Sequence, residues 1–578
     1  MKIEDRKSRI LQCLLLIVNL SLSTTLPAQT SSPQPQALDE AGIFALQALD
    51  PNLFGQSIRI DSISRSQTYQ AGLPMEDYLL NTAHACFIGR DIQYVDLYSA
   101  SVDPSNHSTA IGAILIGLDP SASSDSLGRF HYQGILPEAR LQVHEFWRFI
   151  RDYIHGSRPL TTDLVTLSAG IPYEDWWTRG FDRLADRTGL TIIAAAGNGS
   201  SVFDPVLYPA AGANCLAVGV LASTLGTDSR LSFGLPDPAD SSSGPTADLR
   251  CKPDLVAPGN CLVPDPYALD AYHLTGDASS YATPVVAGIV GMLIQKARSV
   301  PELAAAVEGP AANCTLKAIL LNSARKLPWW HKGMTDLDDD IAVPLDYLMG
   351  AGAVDAPAAW RQLLAASHPV GVVPSAGWNR SQISYSTSAV ESYRFHIQSP
   401  TERITATLAW NRHYGDNYPY RPLPAANTDL RLELWAVDPE NSSRDYRLSV
   451  SDSPNDNLEH IFIAADARFE WYEIRVMIGE KAVPDPTPPT TIETYAIAWR
   501  TTPASDWLDQ SLWKDLNGDG SVTALDSLAY SVVTRFPVLL DNKSFRVNVL
   551  RISDSRLPLL ALFEDIWVSM DNPVQTLP

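Results

Sequence analysis

Three residues far apart in this chain have side chains that together could perform acyl transfer. Ser280 lies in the small-residue turn G-D-A-S-S-Y-A-T-P-V-V-A-G, residues 276–288, where an apolar helix is predicted to begin. His107 opens the run H-S-T-A-I-G-A-I-L-I-G, and Asn198 ends the strand-like run T-I-I-A-A-A-G-N. A serine hydroxyl is a weak nucleophile until an imidazole takes its proton, and the oxyanion that forms needs a hydrogen-bond donor. The residue types therefore predict Ser280 as nucleophile, His107 as general base and acid, and Asn198 as oxyanion donor.

Helix starts are predicted to position two of these side chains. The helix after Ser280, Ala282–Lys296, is apolar nearly all round, which is typical of a helix buried inside a larger domain. The free backbone N–H groups and the dipole at its start would stabilise an oxyanion formed beside the serine. Each polar residue alone could be a buried group satisfied by hydrogen bonds, but the three together favour the catalytic interpretation.

The elements that carry these residues alternate between strand and helix. Apolar strands are predicted at Ser57–Ile63, Leu141–Phe146, Leu164–Leu167, Thr191–Ala195 and Leu216–Leu221, with helical stretches between them. This alternation predicts an α/β domain of three layers with a mostly parallel sheet, spanning residues 38–365.

The motifs resemble those of the subtilisin-like serine proteases, the subtilases of peptidase family S8. Residues 280–288 are similar to the family signature G-T-S-x-A-T-P-x-V-A-G, and the His107 and Asn198 segments are similar to H-G-T-x-V-A-G-I-I-x-G and A-A-G-N-x-G. Five further motifs follow the family's order: G-I-L-P-E-A-R-L, L-V-T-L-S-A-G, Y-P-A-A, S-S-S-G-P and K-P-D-L-V-A-P-G. The resemblance implies a subtilisin-like fold, a serine endopeptidase with a protein or peptide substrate, and the three roles given above.

The chain departs from this family at the third member of the catalytic triad. The family's aspartate ends the first strand, and the matching stretch G-Q-S-I-R-I-D-S-I-S-R-S, residues 55–66, places Ser64 at that position. Asp61 lies three residues earlier, an odd offset that turns a strand side chain to the opposite face. Four carboxylates remain candidates for the acidic partner of His107: Asp61, Glu76, Asp77 and Asp103. The alternative is a catalytically inactive subtilase fold that acts as an extracellular binding or structural module.

Composition and the N-terminus indicate an exported protein. The 578 residues carry a formal charge of −22, which argues against nucleic acid and anionic membranes as partners. Residues 1–28 have the basic start, short apolar core and small-residue end of a signal peptide, too short for a confident membrane span. We therefore expect a secreted protein, extracellular or periplasmic, without stable membrane insertion. A linker at 29–37 leads directly into the α/β domain and leaves no room for an inhibitory propeptide.

The cysteines set a further expectation. Removal of residues 1–28 leaves Cys86, Cys215, Cys251, Cys261 and Cys314. In an exported protein Cys251 and Cys261 could form a short-loop disulfide. No Cys/His spacing typical of structural zinc is present.

The C-terminal part is predicted to contain two further units. Residues 370–503 show short alternating runs separated by turns, which predict a β-sandwich domain that binds substrate or braces the catalytic domain. Residues 505–578 contain D-L-N-G-D-G-S-V-T-A-L-D, whose spacing is typical of an EF-hand-like calcium loop. The predicted ligands are Asp515, Asn517, Asp519, Ser521 and Asp526. The loop resembles one dockerin repeat, but a dockerin module normally has two, so a solitary structural calcium loop is preferred to a cohesin partner.

Overall fold

The structure is a computed structural model that describes most of the chain from residue 36 onwards. The described residues are 36–66, 69–70, 73–74, 78–97, 104–124, 128–171, 176–199, 206–227, 230–265, 268–328, 330–333, 339–384, 389–397, 402–423, 429–479, 492–502, 544–552, 561–569 and 572–576. The predicted signal peptide and calcium loop lie outside them, and both stay predictions. Helix α1 begins at Gln36, inside the predicted linker.

Helices and strands alternate through the first part of the chain. The helices are α1 Gln36–Glu40, α2 Ile43–Leu49, α3 Asn106–Ile116, α4 Phe146–Phe149, α5 Trp176–Thr188, α6 Ser279–Ser299, α7 Ala312–Ser323 and α8 Ala356–Leu364, with a π-helical turn at Ile150–His155 and 3₁₀ turns at Ala85–Phe87, Pro301–Ala306 and Ser442–Arg444. The strands are β1 Arg59–Ser64, β2 Tyr69–Gln70, β3 Leu73–Pro74, β4 Asp91–Tyr94, β5 Leu118–Asp119, β6 Ser123–Ser124, β7 Gly128–Arg129, β8 Tyr132–Gln133, β9 Arg140–Glu145, β10 Leu164–Leu167, β11 Thr191–Ala195, β12 Leu216–Leu221, β13 Ser223–Leu225, β14 Leu231–Phe233, β15 Leu255–Pro258, β16 Leu262–Pro264 and β17 Tyr272–Leu274.

A seven-stranded sheet forms the centre of this part, in the order β15-β12-β11-β10-β1-β9-β4. Every neighbouring pair in it is parallel, which confirms the parallel sheet predicted from the sequence. Parallel strands buried on both faces explain why these segments are continuous apolar runs without strict alternation.

The two faces of the sheet lie in different cores. Ile60 of β1 and Val143 of β9 belong to the core that contains the apolar residues of α3 and α6. Ile63 of β1 packs instead with Phe149 and with Phe181 of α5. Helices thus cover both faces of the sheet, and α3 and α6 lie together on one of them. The parallel strands end along one edge, where the connections to the helices place polar side chains.

Two more sheets follow. Their strands are β18 Gly371–Val372, β19 Gly377–Ser384, β20 Glu391–His396, β21 Arg403–Trp410, β22 Leu430–Val437, β23 Tyr446–Ser451, β24 Leu458–Ala464, β25 Trp471–Ile478 and β26 Ile492–Thr502. They form a five-stranded sheet, β18-β20-β25-β22-β23, and a four-stranded sheet, β19-β26-β21-β24. Residues of both sheets, among them Leu432, Ile474, Leu408 and Ile497, share one apolar core. Helix α7 packs against β21 and β26, so the four-stranded sheet rests on the α/β part.

The tail of the chain contains a further sheet. It is antiparallel, with strands β27 Ser544–Ile552, β28 Ala561–Ser569 and β29 Asn572–Thr576. The sequence motifs gave no prediction for this segment beyond the calcium loop that precedes it.

The cysteines correct one prediction. Cys86, Cys215, Cys251, Cys261 and Cys314 are all buried free thiols. The Cys251 thiol donates to the backbone oxygen of Leu345 at 3.3 Å, so the expected disulfide between Cys251 and Cys261 is wrong. Spacing along the chain did not bring the two sulfurs together. Among the described residues, no helix is long and apolar enough to cross a bilayer.

Candidate active site

Ser280 lies in the first turn of α6. The helix begins at Ser279, three residues before the predicted start, because Ala278 is extended and serves as the N-cap. The hydroxyl of Ser280 is partly exposed and donates to the backbone oxygen of Ser168 at 3.5 Å, while the Ser168 hydroxyl donates to the Ser280 backbone oxygen at 2.7 Å. These contacts hold the first turn of α6 against the segment that follows β10.

Asn198 is fixed by the residue immediately before Ser280. Its Oδ1 accepts hydrogen bonds from both the backbone N–H and the hydroxyl of Ser279, each at 2.8 Å. The Ser279 hydroxyl in turn accepts from the backbone N–H of Gly197 at 3.0 Å. Because the amide oxygen faces α6, the Nδ2 group of this exposed residue is left for an acceptor on the solvent side. Ser279, which is 1% exposed, was not identified from the sequence; the S-S doublet was its only signal.

His107 lies in the first turn of α3. The hydroxyl of Ser105 caps this helix by accepting from the backbone N–H of Ser108 at 3.2 Å. The imidazole packs against the ring of Tyr281, with 5.7 Å between the ring centroids. Burial lowers the pKa of His107 to about 4, because a charged imidazolium loses its hydration there. The side chain is therefore neutral at physiological pH and able to accept a proton.

The three predicted residues converge on the first turn of α6. His107 contacts the residue after Ser280, and Asn198 contacts the residue before it. The imidazole makes no hydrogen bond to the Ser280 hydroxyl, which is directed to Ser168 in this structure. Catalytic hydrogen bonds are often long or misaligned without substrate and tighten when it binds.

Asp61 lies on the opposite face of the sheet from His107. Its carboxylate lies 3.1 Å from Nε2 of His144, and the side chains of Asp61 and His144 are only 2% and 4% exposed. The His144 ring also packs edge-on against Phe149 and Tyr153. Asp61 is therefore engaged in the core under α5 and is unsuited to orient His107.

The sequence resemblance predicts that Ser64 stands where the family has its aspartate. Ser64 is the last residue of that strand and is 2% exposed. Glu76, Asp77 and Asp103, the other candidates, lie outside the described residues, as do the predicted calcium ligands.

Comparisons with known proteins find a family match over part of the chain. Residues 79–342 match the subtilase family, peptidase S8. Pyrolysin from Pyrococcus furiosus is 25% identical over 435 residues, which cover 68% of this chain and 28% of pyrolysin. The chain thus spans little more than a quarter of that relative's length.

Solved structures give similar but partial likenesses. The patellamide maturation protease PatA is 20% identical, with 54% of this chain and 98% of PatA covered at a TM-score of 0.36. A serine protease of Aeromonas sobria is 14% identical, with 78% and 89% covered at a TM-score of 0.37. TM-scores this low do not by themselves establish a common fold. The family match over residues 79–342, together with the parallel sheet, indicates a subtilase-like domain in this part of the chain.

Proposed function

We propose that this protein is a secreted serine endopeptidase that hydrolyses peptide bonds in protein or peptide substrates. The observation that carries the proposal is the convergence of His107 and Asn198 on the two residues that flank Ser280. A hydroxyl, an imidazole and an amide around one point are the groups that acyl transfer requires.

The reaction follows from the roles of these groups. Neutral His107 takes the proton of Ser280 as the hydroxyl oxygen attacks the scissile carbonyl carbon. The Nδ2 group of Asn198 and the backbone N–H groups at the start of α6 then donate hydrogen bonds to the tetrahedral oxyanion. The protonated imidazole returns its proton to the leaving amine, and a water molecule releases the acyl group by the same steps.

A fluorophosphonate probe tests the proposal, because it labels only an activated serine. Wild-type protein should be labelled, and Ser280→Ala should lose the label. Ser299→Ala is the matched control, since Ser299 is an exposed serine at the other end of the same helix. Absence of labelling in the folded wild type would contradict the proposal.

The second candidate is an inactive subtilase fold that serves as an extracellular binding or structural module. Its specific support is Ser64 at the place where a carboxylate is expected. This candidate predicts a folded wild type that neither reacts with the probe nor hydrolyses casein at any pH.

The remaining parts receive supporting roles. The two sheets between residues 370 and 503 act as a β-sandwich that braces the catalytic domain through the contact of α7 with β21 and β26.

The loop containing Asp515 and Asp519 holds a structural calcium ion, as its oxygen spacing supports. Titration with Ca²⁺ by calorimetry tests this role, and Asp519→Ala should abolish the binding heat.

A further inference from the structure

Two buried polar atoms at the end of the sheet have no hydrogen-bond partner among the described residues. One is the hydroxyl oxygen of Ser64, and the other is Oε1 of Glu145, whose residue is fully buried. Native proteins pair nearly all buried polar groups, so an unpaired buried carboxylate oxygen calls for an explanation.

Glu145 and Ser64 occupy matching positions on neighbouring strands. They are the last residues of β9 and β1, and they are direct partners in the parallel register. Alternation from Val143 of β9 and Ile60 of β1, both in the core under α3 and α6, places Glu145 and Ser64 on that same face. A carboxylate absent from the end of β1 is thus present one strand away.

The Glu145 carboxylate is held in place by backbone. Its Oε2 accepts from the N–H of Arg148 at 3.0 Å and caps α4. The cap fixes one oxygen at the carboxyl edge of the sheet and leaves the other for a second donor. Burial raises the pKa of Glu145 above its usual value, although the backbone N–H groups of Arg148, Ser66 and Trp147 and the charge of Arg148 oppose this. A further cationic or N–H partner would therefore be favoured.

Helix α3 brings His107 to this edge. The helix connects β4 to its parallel neighbour β9 and lies on β9, because a Cβ added at Gly112 would come within 3.5 Å of the Leu141 side chain. A crossover helix runs antiparallel to the strands it connects, so its first turn, with His107, lies over their carboxyl ends. Glu145 is at that end of β9.

We propose that Glu145 is the acidic partner of His107, a positioning residue transferred from β1 to β9. The two side chains form no hydrogen bond in this structure; when substrate binds, Oε1 accepts the Nδ1–H of the imidazole and thereby keeps Nε2 unprotonated and directed towards Ser280. After Nε2 takes the serine proton, the carboxylate stabilises the imidazolium, and its own proton state does not change. The small side chain of Ser64 leaves the space through which the longer glutamate reaches.

This inference rests on the proposed function, and its test separates the two. Glu145→Gln keeps the oxygen that caps α4 but removes the charge. Glu138→Gln is the control, because Glu138 is an exposed residue in the turn before β9. We expect Glu145→Gln to lower kcat by about a hundredfold or more with little change in KM. The double variant Glu145→Gln/Ser64→Asp returns a carboxylate to β1. Its kcat should be at least about tenfold higher than that of Glu145→Gln.

A second measurement does not depend on activity. The NMR titration of His107 should show a lower pKa in Glu145→Gln than in wild type, because the stabilising charge is gone. If Glu145→Gln is unstable, Glu145→Asp serves instead, since it keeps the cap and withdraws the carboxylate by one methylene. An unchanged His107 titration, or a kcat within about threefold of wild type, would overturn the assignment. An inactive wild type with a shifted titration would overturn only the proposed function.

Discussion

His413 forms a charged link between the α/β part and the C-terminal sheets. Its Nδ1 lies 3.0 Å from Asp186 of α5, and its Nε2 lies 3.2 Å from Glu493 of β26. Burial alone would lower its pKa, but the hydrogen bonds and charges of the two carboxylates outweigh burial and raise the pKa to about 10. The link is therefore protonated throughout the physiological range.

The sign of the pH effect follows from this shift. A histidine whose pKa is raised by folding contributes its full stabilisation below its unfolded pKa, about 6.5. The contribution declines as pH rises and is lost through pH 10. The difference corresponds to roughly 5 kcal/mol as an upper limit. Because the imidazole is 24% exposed, solvent screening reduces this, and we expect about 2–3 kcal/mol.

Urea unfolding of wild type and His413→Gln between pH 6 and pH 10.5 measures the effect. Wild type should be more stable by the expected amount near pH 6, and the two proteins should converge towards pH 10.5. His396→Gln is the matched control. His396 forms a similar pair with Glu470, but the His396 side chain is 41% exposed and the Glu470 side chain is 80% exposed. A difference between wild type and His413→Gln that stays constant over this range would refute the reasoning.

Three other substitutions test the site and its support. Ser279→Ala should lower kcat about tenfold, which is less than the full loss of an oxyanion donor, because Asn198 keeps its hydrogen bond from the backbone N–H of residue 279. Steady-state kinetics on a peptide substrate measure this change. A change in KM alone would contradict the prediction. Asp61→Asn should cost about 1–3 kcal/mol of unfolding free energy with kcat/KM nearly unchanged, whereas a large fall in kcat would assign Asp61 a catalytic role. Gly288→Ala should lower the free energy of unfolding by about 1–3 kcal/mol, since the new Cβ would lie 2.5–2.8 Å from three atoms of Ile135. Thermal unfolding measures this, and an unchanged Tm would show that the contact relaxes freely.

Local sequence patterns predicted five strands of the seven-stranded central sheet, and β4 and β15 were not predicted. The predicted strand Leu164–Leu167 has the observed bounds, and β9 differs from its prediction by one residue at each end. Buried parallel strands are recognisable because both faces require apolar residues. Helix α6 was predicted three residues short at its start, because the N-cap at Ala278 is set by backbone conformation and not by a typical capping side chain.

The sequence by itself determined the residue types of the site and the elements that carry them, because motif spacing and apolar periodicity are local properties. Only the tertiary structure decided which groups meet: Asp61 with His144 in one core, Ser279 with Asn198, and Glu145 beside Ser64. These contacts depend on the register between strands and on helices that are distant in the chain. Register and helix packing are fixed by the burial of the whole core, and no short segment encodes them.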